Sequence, residues 1–287
     1  MRVGFIGLGN MGHPMATHIL QAGYELNIHD VRRETGHGLE TAGALWADTP
    51  EIVASRSDLV LTSLPSPQVV EQVVLGGQGI FAGLAAGATL VDTSTNAPSV
   101  MRRISEIGQA QGIYVLDAPI SGGVTGARDA TLTLFVGGAA EDLERVRPVL
   151  EVVGENIVHA GPPGSGNVIK LINNLMMFVN FVGSCEGVAM GARAGIDPRV
   201  LLDAITPSMG QSRIFERTLS SFLIGAAWGA STELAVKDMQ LAVALAEELD
   251  VPVEVSSLVQ DIFTRFRDEG NGRSEEFTDM IQYYLNR

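Results

Sequence analysis

Residues 5–12 have the sequence Phe-Ile-Gly-Leu-Gly-Asn-Met-Gly, and this stretch is the strongest indication of the fold of the N-terminal half. It follows the apolar run Val3–Ile6 and leads into a helical pattern at Met11–Ala22. In this context the first glycine allows a tight turn, the second lets a pyrophosphate approach the backbone, and the third lets helix and strand pack closely. The amides at the start of the helix would hold the phosphates. The residues predicted to bind a dinucleotide are Gly7, Leu8, Gly9, Asn10, Met11 and Gly12.

An acidic residue follows the second predicted strand. This strand, Glu25–His29, leads directly into Asp30. A carboxylate there accepts hydrogen bonds from ribose hydroxyls and repels a 2′-phosphate, which favours NAD over NADP. Arg32 and Arg33 keep NADP possible, because a nearby guanidinium can hold that phosphate. The alternative is a structural glycine turn in which Asp30 is only a solvated strand end.

Short apolar runs alternate with amphipathic stretches in the N-terminal half and predict an α/β fold, with a mainly parallel, doubly wound sheet covered on both faces. The predicted strands are Val3–Ile6, Glu25–His29, Leu59–Leu64, Thr89–Asp92, Tyr114–Asp117, Thr131–Val136 and Asn156–His159. We predict a Rossmann-type dinucleotide-binding domain over residues 1–161.

The pattern after Gly161 is helical, without a convincing strand, and predicts an all-α substrate and oligomerisation domain over residues 162–287. A Pro after Asp197 predicts a capped helix start there. The other predicted helices are Gly166–Ala194, Thr232–Leu249, Pro252–Glu269 and Glu275–Leu285.

Only two of the 19 basic residues are lysines, Lys170 and Lys237. Arginine keeps its proton in proteins, whereas burial lowers the pKa of a lysine, as a general base near neutral pH requires. Lys170 is the only formally charged residue between Asn156 and Cys185. Asn174 lies four residues further on, so it shares a helical face with Lys170 and can orient a substrate hydroxyl or carbonyl. The alternative is a helix-start lysine whose amine reaches solvent.

The second lysine carries a weaker signal. Lys237 lies on an amphipathic pattern next to Asp238, and the residues alone favour a solvated ion pair with Asp238 or Glu233.

Two loops after predicted strands are further candidates. In Ser121–Gly123 a hydroxyl beside two glycine amides forms a concavity suited to a carboxylate, although Ser-Gly-Gly is also a common turn. The stretch Asp92–Thr95 ends a strand at the edge where cofactors bind in such sheets, or it caps the helix that begins near Pro98.

Composition excludes several classes of function. A net charge of −14 argues against nucleic acid and anionic membranes as partners, so an anionic substrate needs a local positive site. The five histidines lack metal-ligand spacing, and we expect no metal. The single Cys185 is expected in the core, which fits a reducing cytoplasm. Polar residues interrupt the apolar stretch at 168–190, so we expect a core helix there rather than a membrane span, and no signal peptide precedes the first strand.

In order along the chain, these motifs resemble the β-hydroxyacid dehydrogenase family, which includes 3-hydroxyisobutyrate dehydrogenase and tartronate semialdehyde reductase. The resemblance spans nearly the whole chain. The segments that carry it are residues 5–12, Asp92–Thr95, Asp117–Gly123, Gly164–Asn174 and Lys237-Asp238.

The resemblance implies NAD-dependent, reversible oxidation of a small β-hydroxy acid, with Lys170 as the general acid/base and Asn174 holding the substrate. It implies a substrate-carboxylate site at Ser121, Gly122 and Gly123. Further implied cofactor contacts are Leu64, Pro65 and Thr95. It places Lys237 at the cofactor and substrate, and it implies a homodimer or homotetramer formed through the helical domain.

Two alternatives stay open. One is an NADPH-dependent reductase of a small aldehyde acid, such as tartronate semialdehyde, or of an imine. The other is a non-catalytic dinucleotide-sensing module, which would need the glycines and Asp30 but not Lys170 and Asn174. No motif is recognisable over Ile205–Thr232, so the residues that contact the substrate side chain are not predicted.

Overall fold

The computed structural model describes residues 1–269 and 276–286. The chain divides into two compact units, Met1–Lys170 and Leu171–Arg287. The predicted boundary after residue 161 falls between the last strand and the long helix that follows it. The first compact unit also includes the opening turns of that helix.

The first unit contains nine strands and eight helices among the described residues. Its strands are β1 (Arg2–Ile6), β2 (Glu25–His29), β3 (Leu45–Trp46), β4 (Leu59–Thr62), β5 (Thr89–Asp92), β6 (Tyr114–Asp117), β7 (Ile120–Ser121), β8 (Leu132–Gly137) and β9 (Gly154–Gly161). Its helices are α1 (Gly12–Gln21), α2 (His37–Thr41), α3 (Pro50–Ser55), α4 (Pro67–Leu75), α5 (Ile80–Gly83), α6 (Pro98–Ala110), α7 (Gly123–Arg128) and α8 (Ala140–Leu150). A 3-10 helix spans Arg33–Gly36.

The strands form one sheet in the order β3-β2-β1-β4-β5-β6-β8-β7, with β9 also paired to β8. The six strands from β1 to β6 pair in parallel, whereas β8 runs antiparallel to β6 and β7. The strand order reverses at β1, which has β2 on one side and β4 on the other. Ligands of open α/β sheets bind outside the carboxyl ends of the strands at such a point.

Alternate side chains of the central strands belong to two separate cores. Phe5 and Leu61 lie in the core that includes residues of α1 and α8, whereas Ile6 and Val60 lie in the core that includes residues of α3, α4 and α6. Because neighbouring side chains of a strand point to opposite faces, both faces of the sheet are buried. This confirms the predicted doubly wound α/β sheet.

The predicted and observed strands differ mainly at the short elements. The bounds of β2, β5 and β6 match the prediction. The strands β3 and β7 were not predicted, because two residues are too few to show an alternating pattern.

Helices make up the second unit over the residues that the structure describes. They are α9 (Ser165–Arg193), which begins in the first unit, α10 (Pro198–Ile205), α11 (Arg213–Ile224), α12 (Thr232–Glu248), α13 (Glu254–Asp268) and α14 (Met280–Asn286). A 3-10 helix spans Phe277–Asp279. The predicted cap of α10 is confirmed, since the Asp197 side chain accepts a hydrogen bond from the Arg199 amide. The predicted helix start at Glu275 lies outside the described residues, and α11 was not predicted.

The helix α9 has a buried and an exposed side. Its 29 residues, with a mean hydropathy of 1.4 in its most apolar window, are long and apolar enough to cross a membrane, and core helices of soluble proteins also reach such values. Phe178, Phe181 and Cys185 lie in the core of the helical unit. Burial raises the pKa of the Cys185 thiol, which therefore stays protonated. On the other side, Met176 and Met190 are more than half exposed.

Candidate functional site

The glycine turn between β1 and α1 has the shape that a dinucleotide requires. Gly7 has a φ of +95°, and a Cβ there would collide with the carbonyl oxygen of Ser63. A Cβ at Gly12 would collide with the carbonyl oxygen of Gly7, so the helix can approach the strand only without a side chain. At Gly9, by contrast, a Cβ would meet no heavy atom within 4 Å. The turn thus leaves open space at the one glycine that a pyrophosphate must approach.

Asp30 is attached to the same turn. One of its carboxylate oxygens accepts a hydrogen bond from the Leu8 amide at 2.7 Å, and the other accepts one from the Arg32 amide at 2.8 Å. The residue is 9% exposed. A carboxylate oxygen has two lone pairs, so both oxygens can still accept a ribose hydroxyl. Together with the open Gly9, these residues fit the ribose and phosphates of a dinucleotide.

The two arginines after Asp30 have different environments. Arg33 forms a bidentate pair with Glu40, and its guanidinium lies 4.3 Å from the ring centre of Trp46. The Arg32 side chain is 60% exposed, and its Nε lies 3.7 Å from an Asp30 oxygen. Arg33 is therefore held by acidic and aromatic partners, whereas the Arg32 side chain is largely exposed beside Asp30.

The predicted cofactor loops after β4 and β5 contact each other. The Leu64 amide donates a hydrogen bond to Ser94 Oγ at 2.8 Å. Pro65 is exposed and Thr95 is half-buried. The alternative in which residues 92–95 cap α6 is wrong, because the residue that precedes α6 is Ala97 and no side chain caps this helix.

Asp92, at the end of β5, is fully buried and accepts hydrogen bonds from several side chains. The donors are Ser94 Oγ at 2.6 Å, Thr62 Oγ1 at 2.7 Å and Asn96 Nδ2 at 3.2 Å. Burial raises the pKa of the Asp92 carboxyl, and these hydrogen bonds act in the opposite direction. The carboxyl therefore ties the ends of β4 and β5 to the loop that precedes α6.

Asp117, at the end of β6, holds the first turn of α9. Its carboxylate accepts hydrogen bonds from the Gly164 amide at 2.7 Å and from the Asn167 amide at 2.8 Å. Burial raises the pKa of this carboxyl too, against the effect of the hydrogen bonds. Asp117 was predicted only as part of a motif, and this contact was not predicted, since Asp117 and Gly164 are 47 positions apart.

The predicted carboxylate loop begins where β7 ends. Ser121 is half-buried, while Gly122 and Gly123 are exposed. Both glycines have positive φ, +135° and +66°, which side chains rarely allow. The chain therefore turns sharply here and exposes backbone to solvent, as close approach of a ligand requires.

Lys170 and Asn174 lie one turn apart on α9. Lys170 is half-buried, and Asn174 is 4% exposed. The Asn174 amide nitrogen donates to Asp238 at 2.7 Å, while its oxygen accepts from Asn173 Nδ2 at 3.1 Å. The orientation of the Asn174 amide is thereby fixed from both ends.

Lys237 forms an ion pair with Asp238, with 3.0 Å between Nζ and the carboxylate oxygen. The sequence had predicted an ion pair of Lys237 with either Asp238 or Glu233, and the structure shows the pair with Asp238. The solvated surface expected for it is wrong, because the side chains of Lys237 and Asp238 are only 18% and 5% exposed. Asp238 thus accepts a hydrogen bond from Asn174 and forms an ion pair with Lys237. The contact with Asn174 could not be predicted from local patterns, because 64 positions separate the two residues.

Within residues 1–269 and 276–286, no group of three or more His, Cys, Asp or Glu side chains is placed to hold a metal ion.

The doubly wound sheet, its open glycine turn and the carboxylate behind that turn define a dinucleotide-binding protein of the Rossmann type. Comparison with known proteins agrees. Residues 2–161 match the NAD-binding domain of 6-phosphogluconate dehydrogenase, and residues 164–284 match the NAD-binding domain described for NADP-dependent 3-hydroxyisobutyrate dehydrogenase. The chain belongs to the β-hydroxyacid dehydrogenase family, as its motifs predicted. It is an NAD(P)-dependent hydroxyacid dehydrogenase.

Individual relatives cover most of the chain. A 3-hydroxyisobutyrate dehydrogenase of Pseudomonas aeruginosa is 38% identical over 91% of this chain and 91% of its own length. An NAD-dependent L-serine dehydrogenase of the same organism is 42% identical over 73% of this chain and 70% of its own. Among solved structures, 3-hydroxyisobutyrate dehydrogenase of Mycobacterium tuberculosis with L-serine has a TM-score of 0.91 at 27% identity, over 100% of both chains.

Proposed function

We propose that this dehydrogenase oxidises a small β-hydroxy acid of the 3-hydroxyisobutyrate type with NAD, reversibly, and that Lys170 is its general acid/base. The observation that carries the proposal is the position of Lys170. It is a half-buried lysine in the opening turns of α9, within the same compact unit as the glycine turn.

The proposed chemistry needs one proton and one hydride to leave the substrate. A bound nicotinamide supplies the hydride acceptor. Lys170, as the neutral amine, takes the hydroxyl proton while the carbinol C–H bond breaks and the carbonyl forms. In the reverse direction the ammonium form of Lys170 returns the proton to the carbonyl oxygen. Such acid/base assistance contributes roughly 10²–10⁴-fold to the rate.

Two further elements would orient the substrate. The exposed backbone at Ser121–Gly123 suits the substrate carboxylate, because a serine hydroxyl and glycine amides donate to an anion there. Asn174 shares the helix with Lys170, and its fixed amide suits the substrate oxygen. Lys237, paired with the buried Asp238, is proposed to supply positive charge in a protein of net charge −14.

Replacement of Lys170 tests the mechanism. We expect Lys170→Ala to lower kcat by roughly 10²–10⁴-fold while NAD affinity stays unchanged, measured by NADH absorbance and by titration. Lys170→Arg is the matched control, since it keeps the charge but cannot release a proton, and it should be equally impaired. Near-normal turnover of Lys170→Ala would remove the lysine from the mechanism.

A substrate panel tests the substrate class. The relatives are named for 3-hydroxyisobutyrate and L-serine, which share a primary hydroxyl two carbons from the carboxyl carbon. We therefore expect activity with one of these or with glycerate, which has the same primary hydroxyl. We expect less activity with threonate, whose hydroxyl at that carbon is secondary, and with sulfonated analogues, which lack the carboxylate. A chain that binds NAD but turns over none of them would instead favour the dinucleotide-sensing alternative.

We propose NAD as the preferred cofactor, on the basis of Asp30 and of the arginine environments. Arg33 is already engaged by Glu40 and Trp46, so Arg32 is the guanidinium left for a 2′-phosphate. Arg32 lies beside the Asp30 carboxylate, which repels that phosphate. NAD should therefore raise the melting temperature more than NADP at equal concentration. Asp30→Ala should narrow or reverse that difference. A larger shift with NADP in the unaltered protein would favour the NADPH-dependent reductase.

We also propose that a second copy of the chain covers the exposed side of α9. Ile172, Met176 and Met190 are each more than half exposed there. On the same helix a Cβ at Gly183 or Gly187 would meet no heavy atom within 4 Å, and both glycines line a groove of about 290 Å³. Such small residues let two helices approach closely. Met176→Asp should lower the mass measured by light scattering to that of a monomer, and a monomeric unaltered protein would contradict the proposal.

A further inference from the structure

Four buried polar side chains form one continuous network in the first unit. They come from the end of β5, the loop after it, the end of β6 and the first turn of α9, and they are Asp92, Asn96, Asp117 and Asn167. Each is at most 1% exposed. Because β5 and β6 pair with Asp92 opposite Asp117, the two carboxyls lie side by side at the carboxyl edge of the sheet.

Asn167 is the member that connects the strand ends to α9. Its side-chain oxygen accepts a hydrogen bond from the backbone N–H of Asn96 at 2.7 Å, and its Nδ2 donates to the Asp117 carboxylate at 3.3 Å. Asn96 in turn donates to Asp92 at 3.2 Å. Asn167 lies three residues before Lys170, so the two side chains occupy neighbouring positions on the helix surface.

The first turn of α9 also approaches the sheet closely. A Cβ at Gly166 would collide with the Phe135 carbonyl oxygen, and a Cβ at Gly137 would collide with the Asp117 carboxylate. Two glycines therefore leave the space in which the Asp117 carboxylate contacts the helix amides. With side chains at these positions the helix would have to lie further from the strands.

Stability alone is a poor reason for this arrangement. Two adjacent buried carboxyls are costly to desolvate, and well-packed apolar side chains are often as stable or more stable in such places. What hydrogen-bonded carboxyls provide, and apolar side chains do not, is a defined direction and distance for each contact. The network thus fixes where α9 starts relative to β5 and β6.

We propose that Asp117 and Asn167 are positioning residues that set the place of the Lys170 amine at the carboxyl edge of the sheet. This inference rests on the proposed function of Lys170. Neither residue needs to contact the substrate. Asp117→Asn would replace one acceptor oxygen by a donor that faces the helix amides, and Asn167→Ser would remove the bridge to Asn96 while the backbone contact of Asp117 remains.

The experiment compares these variants with matched controls. Asp142→Asn replaces a buried carboxyl of the same unit on α8, and Asn27→Ser replaces a fully buried asparagine on β2. A misplacement of about 1 Å can cost on the order of 10²-fold in rate. We expect kcat of Asp117→Asn and Asn167→Ser to fall by about 10- to 100-fold, with KM for the hydroxy acid within about threefold and NAD affinity unchanged. The controls should keep kcat within about threefold.

A double-mutant cycle separates positioning from a merely structural role. If Asp117 acts through Lys170, Asp117→Asn should lower the residual turnover of Lys170→Ala by less than about twofold. If Asp117→Asn lowers kcat by the same factor with and without Lys170→Ala, the inference is overturned and the proposed function is not. The same holds if the kcat of Asn167→Ser is no lower than that of Asn27→Ser. Normal turnover of Lys170→Ala would instead overturn the proposed function, and the inference with it. If Asp117→Asn does not fold, Asn167→Ser carries the same cycle.

Discussion

Asp30 and Asp117 of the sheet unit are held in a different way from Asp238 of the helical unit. In the sheet unit the backbone amides of Leu8 and Gly164 donate hydrogen bonds to Asp30 and Asp117, respectively, at strand ends. In the helical unit side chains hold side chains, as in the contacts of Asn174 and Lys237 with Asp238. The positions of Asp30 and Asp117 therefore depend on the path of the chain, and that of Asp238 depends on the packing of particular side chains.

The hydrophobic cores of the two units also differ, in the kind of side chain that fills them. The two cores of the sheet unit consist mainly of Val, Leu, Ile and Ala, whereas aromatic rings form the centre of the helical core. Phe181 lies edge-on to Phe277 with ring centres 4.9 Å apart, and Phe263 lies edge-on to Phe178 at 5.1 Å. Aromatic pairs depend on geometry, so a change of shape there affects several contacts at once.

The largest expected effect tests the dependence of the helical unit on side-chain shape. Phe263 is fully buried and contacts three other rings, those of Phe178, Phe181 and Phe277. Phe263→Ala should lower the free energy of unfolding by about 3–5 kcal/mol, because a cavity replaces the ring. Phe263→Leu, which fills much of the space without a ring, should lose less. Urea denaturation measures both free energies, and a loss under about 1 kcal/mol for Phe263→Ala would contradict the dependence of the helical core on ring shape.

A medium effect tests the dependence of the sheet unit on the chain path. Gly12→Ala should lower the free energy of unfolding by about 1–3 kcal/mol, because its Cβ collides with backbone. Gly9→Ala should change it by less than about 0.5 kcal/mol, since its Cβ enters open space. It should nevertheless weaken NAD binding by about tenfold or more, measured by titration, because the methyl group lies where the pyrophosphate approaches. Equal stability of the two variants would contradict the geometry of the turn.

The smallest effect concerns an exposed ion pair of the sheet unit. The Arg2 guanidinium donates to Asp58 at 2.7 Å, and this contact lowers the pKa of the Asp58 carboxyl. Because its folded-state pKa is lowered, the Asp58 carboxylate stabilises the fold at pH values above the unfolded-state pKa of about 3.9. This contribution to stability is lost as the pH falls through the folded-state pKa. Asp58→Asn should therefore lower the melting temperature slightly at neutral pH and hardly at all in strong acid. About 1 M salt should reduce the neutral-pH difference, since both side chains are half exposed. A difference that persists in acid would contradict this origin.

The same contrast explains which features the sequence predicted. The dinucleotide turn and the bounds of β2 and β5 follow from local signals, namely glycine spacing and short apolar runs between turns. The helix α11 escaped prediction because no recognised motif marks residues 205–232.

The polar contacts of the candidate site could not be predicted in this way. Asp117 with Gly164, and Asn174 with Asp238, join residues that are 47 and 64 positions apart. Nothing in the local pattern of either partner identifies the other. Lys170 could nevertheless be selected as a candidate from the sequence, because a lone lysine in an apolar helix differs from its surroundings within a single stretch of chain. Its catalytic role stays a prediction.

Each unit carries one of the two tryptophans of the chain. Trp46 lies under the Arg33 guanidinium, and Trp228 lies edge-on to Phe277. Conversion of either indole to phenylalanine would leave a single tryptophan, and its emission, excited selectively over the four tyrosines, would report on one half of the molecule. The emission of Trp46→Phe would then follow the aromatic cluster alone, and that of Trp228→Phe the sheet alone. The order in which the halves melt could thus be determined without an added label.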